Sequence, residues 1–228
     1  MFSGKCQNTF REVFLLKRKQ FFYAAASLLA AFVFWTAAVA NLDVQTIGPE
    51  GASVGLARLN GFFHNLTGVH WELYFLTDRL SLIPLLFILG FGLLGLVQWV
   101  RRKSLKKVDR SILVLGGFYL ITGAVYVFFE KWIVNYRPVL VEGILEASYP
   151  SSTTMLAICV MSTAAMQLKE RIPSFRKWIH IPMAAFTIFL VIGRLVSGVH
   201  WFTDIIGGLL LSTGLVLLYA AFTKKRDC

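Results

Sequence analysis

Residues 178–222 read WIHIPMAAFTIFLVIG, then RLVSGVHWFTD, then IIGGLLLSTGLVLLYAAF: two apolar runs, 178–193 and 205–222, joined by a segment that carries Arg194, His200 and Asp204. Each run approaches the ~20 residues with which a helix crosses about 30 Å of hydrocarbon. Ionisable side chains at the edge of hydrocarbon cost several kcal/mol unless they are paired or bind something. Three of them in one short connection therefore call for a ligand, and an anion fits best.

Four further uncharged stretches, 21–40, 80–100, 111–129 and 151–168, have the same character. The chain has 228 residues, 57% hydrophobic and only 15% charged, where a soluble domain carries about 25% charge. These features predict an all-α, polytopic membrane protein with six transmembrane helices. Six spans use most of the chain, so residues 1–228 form a single domain. The net charge of +11 is sorted along the sequence. Basic residues gather in the N-terminal segment (Lys5, Arg11, Lys17, Arg18, Lys19) and the connection after the second span (Arg101, Arg102, Lys103, Lys106, Lys107, Arg110). They recur after the fourth span (Lys169, Arg171, Arg176, Lys177) and in the tail (Lys224, Lys225, Arg226). The positive-inside rule then places both termini in the cytoplasm, and residues 41–79, 130–150 and 197–204 on the outer side. Such placement is that of topology determinants and anionic-lipid contacts, so the bilayer is the partner and nucleic acid is not.

Other features are read more plainly. Trp35, Trp99, Trp132, Trp178 and Trp201 fall near span ends, as an interfacial aromatic belt would place them. Cys6 and Cys228 are cytoplasmic and Cys159 lies within a span, so no disulfide framework is expected. Ala38-Val39-Ala40 resembles a signal-peptide cleavage site, but the apolar run before it exceeds the usual 7–15 residues and reads as an uncleaved anchor. Gly90, Gly92, Gly95, Gly207 and Gly208 are expected to admit close helix contacts. His64 and His180 receive no function. Gly68-Val69-His70-Trp71 echoes Gly198-Val199-His200-Trp201 without further match between the halves, and is treated as chance. The long 41–79 connection is expected to cover a site or lie in the interface.

His200 and Asp204 are four residues apart, on one face if a helix starts here. A carboxylate so placed holds one imidazole nitrogen and frees the other as base, nucleophile or metal ligand; alone, the pair is weak evidence and a satisfied interfacial contact is the favoured reading. Arg194 changes the balance, because a guanidinium grips phosphate bidentately. Upstream lie Lys131, Arg137 and Pro138, then Pro150-Ser151-Ser152-Thr153-Thr154 at the start of the fourth span. Proline followed by hydroxyl residues marks a helix N-terminus, which either is simply capped or offers its amides and dipole to an anion.

With these residues the chain resembles the integral-membrane branch of the type-2 phosphatidic acid phosphatase superfamily, to which vanadium haloperoxidases are related. That family's third motif, Ser-Arg, five residues, His, three residues, Asp, is matched at Arg194, His200 and Asp204, with Gly193 in place of Ser. The resemblance implies that His200 is the nucleophile that takes the phosphoryl group, that Asp204 orients it, and that Arg194 binds phosphate oxygens. Arg137-Pro138 matches the end of the first motif, so Arg137 inherits a phosphate contact. Ser151 and Ser152 match the second motif and would offer donors to phosphate.

Two positions depart from the pattern. Lys131 sits six residues before Arg137 where the family has seven, and Glu130 occupies the expected place. One residue is about 100° of helix rotation, so Lys131 either joins the site through a local distortion or snorkels at the interface. Thr153 stands where the family has the histidine assigned as general acid. Proton donation to a leaving alkoxide is worth about 10²–10⁴-fold, whereas a pyrophosphate expels an anion that needs less help. A lipid pyrophosphate, with polyprenyl pyrophosphate favoured, is therefore the expected substrate unless His70, Glu142, Glu146 or Tyr149 supplies the proton.

The expected activity is that of a membrane lipid phosphatase working through a phosphohistidine, with no metal or cofactor implied. The alternatives are a lipid phosphotransferase and a degenerate lipid-binding protein marked by Thr153. The expected location is a bacterial plasma membrane, multi-pass, with the site on the extracytoplasmic side. Asn65-Leu66-Thr67 would be a glycosylation acceptor in a eukaryote. Oligomeric state is left open.

Overall fold

The computed structural model describes residues 3–223. Lys224, Lys225, Arg226 and Cys228 lie outside the described residues, as do the side chains of Lys5, Cys6, Arg11, Lys17, Arg176 and Lys177. Eight helices follow one another: α1 (Ser3–Asn41), α2 (Ala57–Thr67), α3 (Trp71–Leu80), α4 (Leu82–Arg102), α5 (Arg110–Lys131), α6 (Ser152–Arg171), α7 (Arg176–Val196) and α8 (Phe202–Thr223). Among the described residues strand pairing is limited to isolated bridges, such as Tyr136 with Ala147. Among the described residues, five stretches are long and apolar enough to cross a membrane: Arg18–Asn41, Trp71–Arg102, Arg110–Lys131, Trp178–Val196 and Phe202–Thr223. The chain is a multi-pass helical membrane protein.

The stretch expected as the fourth span forms α6, yet it falls outside that set of five. Its composition explains why. Helices facing lipid need large apolar side chains, whereas a helix enclosed by protein can carry small and hydroxyl residues that let neighbours approach. Thr153, Thr154, Ala157, Cys159, Thr163, Ala164 and Gln167 of α6 are all buried, and the helix packs against both α7 and α8. The polar groups are satisfied within the bundle: Thr163 bonds the Cys159 carbonyl oxygen at 2.7 Å, and Gln167 Nε2 donates to the Tyr219 hydroxyl at 2.7 Å. Helix α8 is the other central element, packed mainly on α1 and α6.

The glycine expectation holds in part. A Cβ at Gly207 would lie 2.7 Å from the Tyr149 ring, and one at Gly208 3.0 Å from Thr154, while Gly95 faces Ile112 at 3.0 Å. Gly90 and Gly92 meet nothing within 4 Å, so no close helix contact explains them. The aromatic belt also needs correction. Trp99, Trp132 and Trp178 are exposed, but Trp201 is buried and donates from its indole to the Tyr136 carbonyl oxygen at 2.7 Å. Trp35 donates to the Thr203 carbonyl oxygen at 3.1 Å. The first ties the segment between α5 and α6 to the α7–α8 turn, and the second ties α1 to the start of α8.

The 41–79 connection is largely helical, with α3 leading into α4 and packing against α7. Asn60 pins it. Its side chain donates to the Gly55 carbonyl oxygen at 2.8 Å and accepts from the Thr203 amide at 3.1 Å. Gly55 in turn donates its amide to Asn135 Oδ1 at 3.1 Å. The two Gly-Val-His-Trp segments lie directly against each other. His70 donates its amide to the Ser197 carbonyl oxygen at 3.0 Å. Gly198 has φ +68, and a Cβ there would stand 1.8 Å from the Gly68 carbonyl oxygen, so only glycine fits.

Candidate active site

Helix α7 ends at Val196 and α8 begins at Phe202, and the turn between them delivers His200 into the end of the bundle. His200 Nδ1 lies 3.6 Å from Asp204 Oδ2, one helical turn away, and both side chains are almost wholly buried. The separation is an electrostatic contact rather than a hydrogen bond. Asp204 Oδ2 also accepts the Trp201 amide at 2.9 Å, which fixes the carboxylate as a cap on the first turn of α8. Burial above all, then the charges of Arg137 and Arg194, holds the His200 imidazole well below its ordinary pKa. It is therefore neutral at physiological pH, the form that has a lone pair to give.

The two arginines reach the same place from different elements. Arg194, near the end of α7, is 2% exposed; Arg137 lies in the segment between α5 and α6 and is also buried. Both guanidinium groups stand over the ring of Tyr74, at 4.8 Å and 5.8 Å from its centroid, and cation–π attraction of this kind strengthens when water is excluded. Arg194 Nη2 donates to Asp78 Oδ1 at 2.8 Å and to Thr153 Oγ1 at 2.6 Å. Arg137 Nε stands 3.0 Å from Glu146 Oε2. Several buried donors of the cluster have no hydrogen-bond partner: Nε and Nη1 of Arg194 and Nη1 of Arg137. Buried donors are rarely left unpaired in a native fold. A converging set of them around a neutral imidazole is a receptor for a multivalent acceptor such as phosphate.

The N-terminus of α6 completes the cluster. Ser151 is its cap, accepting from the Thr154 amide at 3.4 Å, and it donates its own amide to the Asp204 carbonyl oxygen at 3.1 Å. That bond ties the heads of α6 and α8 together. It also removes the Ser151 amide from the donors available to an anion, leaving Ser152 and Thr153 in the first turn. Ser152 lines a small recess with His200, Glu130, Tyr126, Ser148 and Tyr149. Thr153 holds Arg194 and so has a positioning role.

The remaining expected residues are placed as follows. Glu146 meets Arg137 as above. His70 is exposed, with Nε2 at 2.8 Å from the Thr67 carbonyl oxygen, and does not line the recess. Tyr149 shares its hydroxyl with Thr36 of α1 at 2.7 Å. Glu142 sits on a turn with φ 52. Lys131 is exposed at the end of α5 and lines no part of the recess, whereas its neighbour Glu130 does. His64 packs against Trp201 with centroids 5.4 Å apart. Tyr74 and Asp78 are the residues that sequence reasoning missed; their four-residue spacing on an aromatic helix within the 41–79 connection was the available signal.

Beside the site, α1 and α5 bound an apolar groove of about 700 Å³, lined by residues that include Phe32, Ala40, Ile121 and Trp132. Phe129 belongs to the wall of this groove and to that of the His200 recess, so the two spaces adjoin.

Known proteins resemble this chain in family and in fold. A family model described as the PAP2 superfamily matches residues 87–228, more than half of the chain. The chain is 29% identical over 210 residues to phosphatidylglycerophosphatase B of Bacillus subtilis (strain 168), spanning 89% of this chain and 96% of that protein. A crystal structure of a transmembrane PAP2-type phosphatidylglycerolphosphate phosphatase from Bacillus subtilis has a TM-score of 0.61 and 22% identity, over 90% of this chain and 100% of that one. This last likeness carries the fold.

Proposed function

The chain belongs to the PAP2 superfamily, and we propose that it is a membrane lipid phosphatase that transfers the terminal phosphoryl group of its substrate to His200 and then to water. The observation that carries this is the neutral, buried His200 facing unpaired donors of Arg137 and Arg194. In the first step a lone pair on the free ring nitrogen attacks phosphorus and the bond to the leaving oxygen breaks. Asp204 stabilises the charge that develops on the imidazole. The arginines and the first-turn amides of α6 bear the negative charge of the phosphoryl oxygens, so the chemistry is assigned to side chains and amides without a metal.

The same reading includes six membrane crossings, with α6 as the enclosed one, and both termini in the cytoplasm, which puts the site at the outer face of a plasma membrane. The whole chain acts as one domain. A lipid tail would lie in the groove between α1 and α5, with its head group beyond Phe129 at His200. Thr153 is engaged with Arg194 and has no proton suited to a leaving alkoxide, which favours a lipid pyrophosphate, polyprenyl pyrophosphate first among them. Phosphatidylglycerophosphatase activity, named in a relative, is the monoester counterpart of this reaction.

The test is phosphate release by wild-type and His200→Ala protein in detergent, offered polyprenyl pyrophosphate and phosphatidylglycerophosphate side by side. Turnover confined to the wild type, and faster on the pyrophosphate, is expected. Equal turnover of both lipids would overturn the preference, and activity retained in His200→Ala would overturn the mechanism.

A further inference from the structure

The second half of the proposed reaction needs a group that takes a proton from water, and none of the residues in contact with phosphate in that scheme provides one. His200 is occupied by the phosphoryl group, and the arginines and amides only donate. The recess beside His200 has a volume of about 10 Å³, the room needed by a single water. Its walls come from α5 (Tyr126, Glu130), from the segment before α6 (Ser148, Tyr149), from Ser152, and from His200 itself. Arg137, Arg194 and Tyr74 do not line it. Glu130 is the one carboxylate in its described lining.

Four other acid–base groups of the cluster and its surroundings already have partners. Glu146 is drawn to Arg137 at 3.0 Å, and Asp78 to Arg194 at 2.8 Å. His70 is held on the Thr67 carbonyl oxygen, and the Tyr149 hydroxyl on Thr36. Glu130 stands one turn after Tyr126, with which it interacts, and Glu146 and Arg137 are the other charges acting on that phenol. Glu130 is exposed at the last turn of α5.

We propose that Glu130 is the catalytic base that activates water against the phosphohistidine in this recess. The inference rests on the phosphatase reading above. The Glu130 carboxylate takes one proton from water while the water oxygen forms a bond to phosphorus. The P–N bond breaks, its electron pair returns to the His200 ring, and inorganic phosphate leaves. Glu130 then passes its proton to solvent. A carboxylate is the required form for this step, which explains how an acidic residue serves next to a phosphate-binding cluster. The base is needed after the leaving group has gone, so the role applies to pyrophosphate and monoester substrates alike.

The test is rapid quenching of wild type, Glu130→Gln, Glu130→Asp and His200→Ala with a polyprenyl pyrophosphate labelled on its terminal phosphate. Glu130→Gln is expected to lower steady-state phosphate release by about 10²–10⁴-fold while still taking close to one label per chain in the first turnover. The phosphoenzyme should therefore accumulate. Glu130→Asp should fall between the two, and it carries the same test if the glutamine variant fails to bind vanadate as a folded site would. Turnover within about threefold of wild type, or loss of label together with turnover in a variant that still binds vanadate, would overturn the assignment, the first bound being set against the loss expected for a missing base. His200→Ala keeps the two ideas apart. Labelling and turnover that survive in it would refute the phosphohistidine reading, whatever Glu130 does.

Discussion

At the end of the bundle away from the site, Asp109 receives Arg102 Nη1 at 2.9 Å and Gln98 Nε2 at 2.8 Å, with Arg171 Nη1 at 3.5 Å. Gln98 closes the arrangement by accepting the Asp109 amide at 2.9 Å. At the other end, Arg194 uses Nη2 for both Asp78 and Thr153 and leaves Nε and Nη1 buried without partners. The two clusters contain the same chemical groups. One is saturated by its own side chains and half-exposed, so it joins helices; the other is buried and keeps unpaired donors, as the proposed phosphate site requires. Unspent hydrogen-bonding capacity, rather than charge, separates a binding site from a structural ion pair.

Arg194→Lys breaks this contrast most severely. Lysine keeps the charge but loses the planar fork and the contacts to Thr153 and Asp78. Phosphate release should fall by about 10²–10³-fold, the range for loss of a transition-state donor. Steady-state kinetics on the lipid substrate, with vanadate affinity measured in parallel, would check it; near-normal kcat would remove Arg194 from the site.

Gly198→Ala attacks the frame that holds His200. A methyl group has no space before the Gly68 carbonyl oxygen, and the positive φ disfavours it independently. The expected cost is about 1–3 kcal/mol, seen as a lower Tm in detergent with activity lost alongside. An unchanged Tm would mean that the 68–70 segment is not held against the α7–α8 turn.

The protonation of His200 sharpens the comparison on the pH axis. Its pKa is held well below 6.5 by burial and by the two arginines, and the neutral form is the one that acts in the proposed attack on phosphorus. The acid limb of kcat/KM should therefore lie well below pH 6.5, and Arg137→Gln, which removes one of the opposing charges, should move it toward neutrality. A wild-type limb at 6.5 or above would contradict the burial argument.

Asp109→Asn gives the smallest effect and tests the saturated cluster. Hydrogen bonds from Arg102 first, and then Gln98, hold the Asp109 carboxyl below its ordinary value. A depressed acid stabilises the fold above its unfolded pKa, near 3.8, and that contribution is lost as pH falls through the folded one. The variant should melt no more than about 2–4 °C below wild type at neutral pH, with the gap closing in acid, and phosphate release should be unchanged. A loss of activity would mean that the two ends are coupled.

The hydropathy of the chain foretold the helices, because a bilayer imposes one length and one apolarity on every segment exposed to it. It was least informative for α6, whose polar residues are legible only once its neighbours enclose it. The Arg194, His200 and Asp204 set was visible because those three lie within one short connection between two apolar runs. Tyr74, Asp78 and the recess beside Glu130 were not visible. Asp78 stands 116 residues from the arginine it pairs with, and nothing in local pattern links two such positions.

What the sequence determined by itself was therefore a helical membrane protein with a His–Asp pair and an arginine on one turn, since hydrophobic length and residue spacing act over short range. Tertiary structure alone decided which charges are spent and which are left to bind. It sets Asp78 on Arg194, Glu146 on Arg137, Ser151 on Asp204 and Glu130 beside His200, because burial and pairing depend on which distant segments the packed bundle brings into contact.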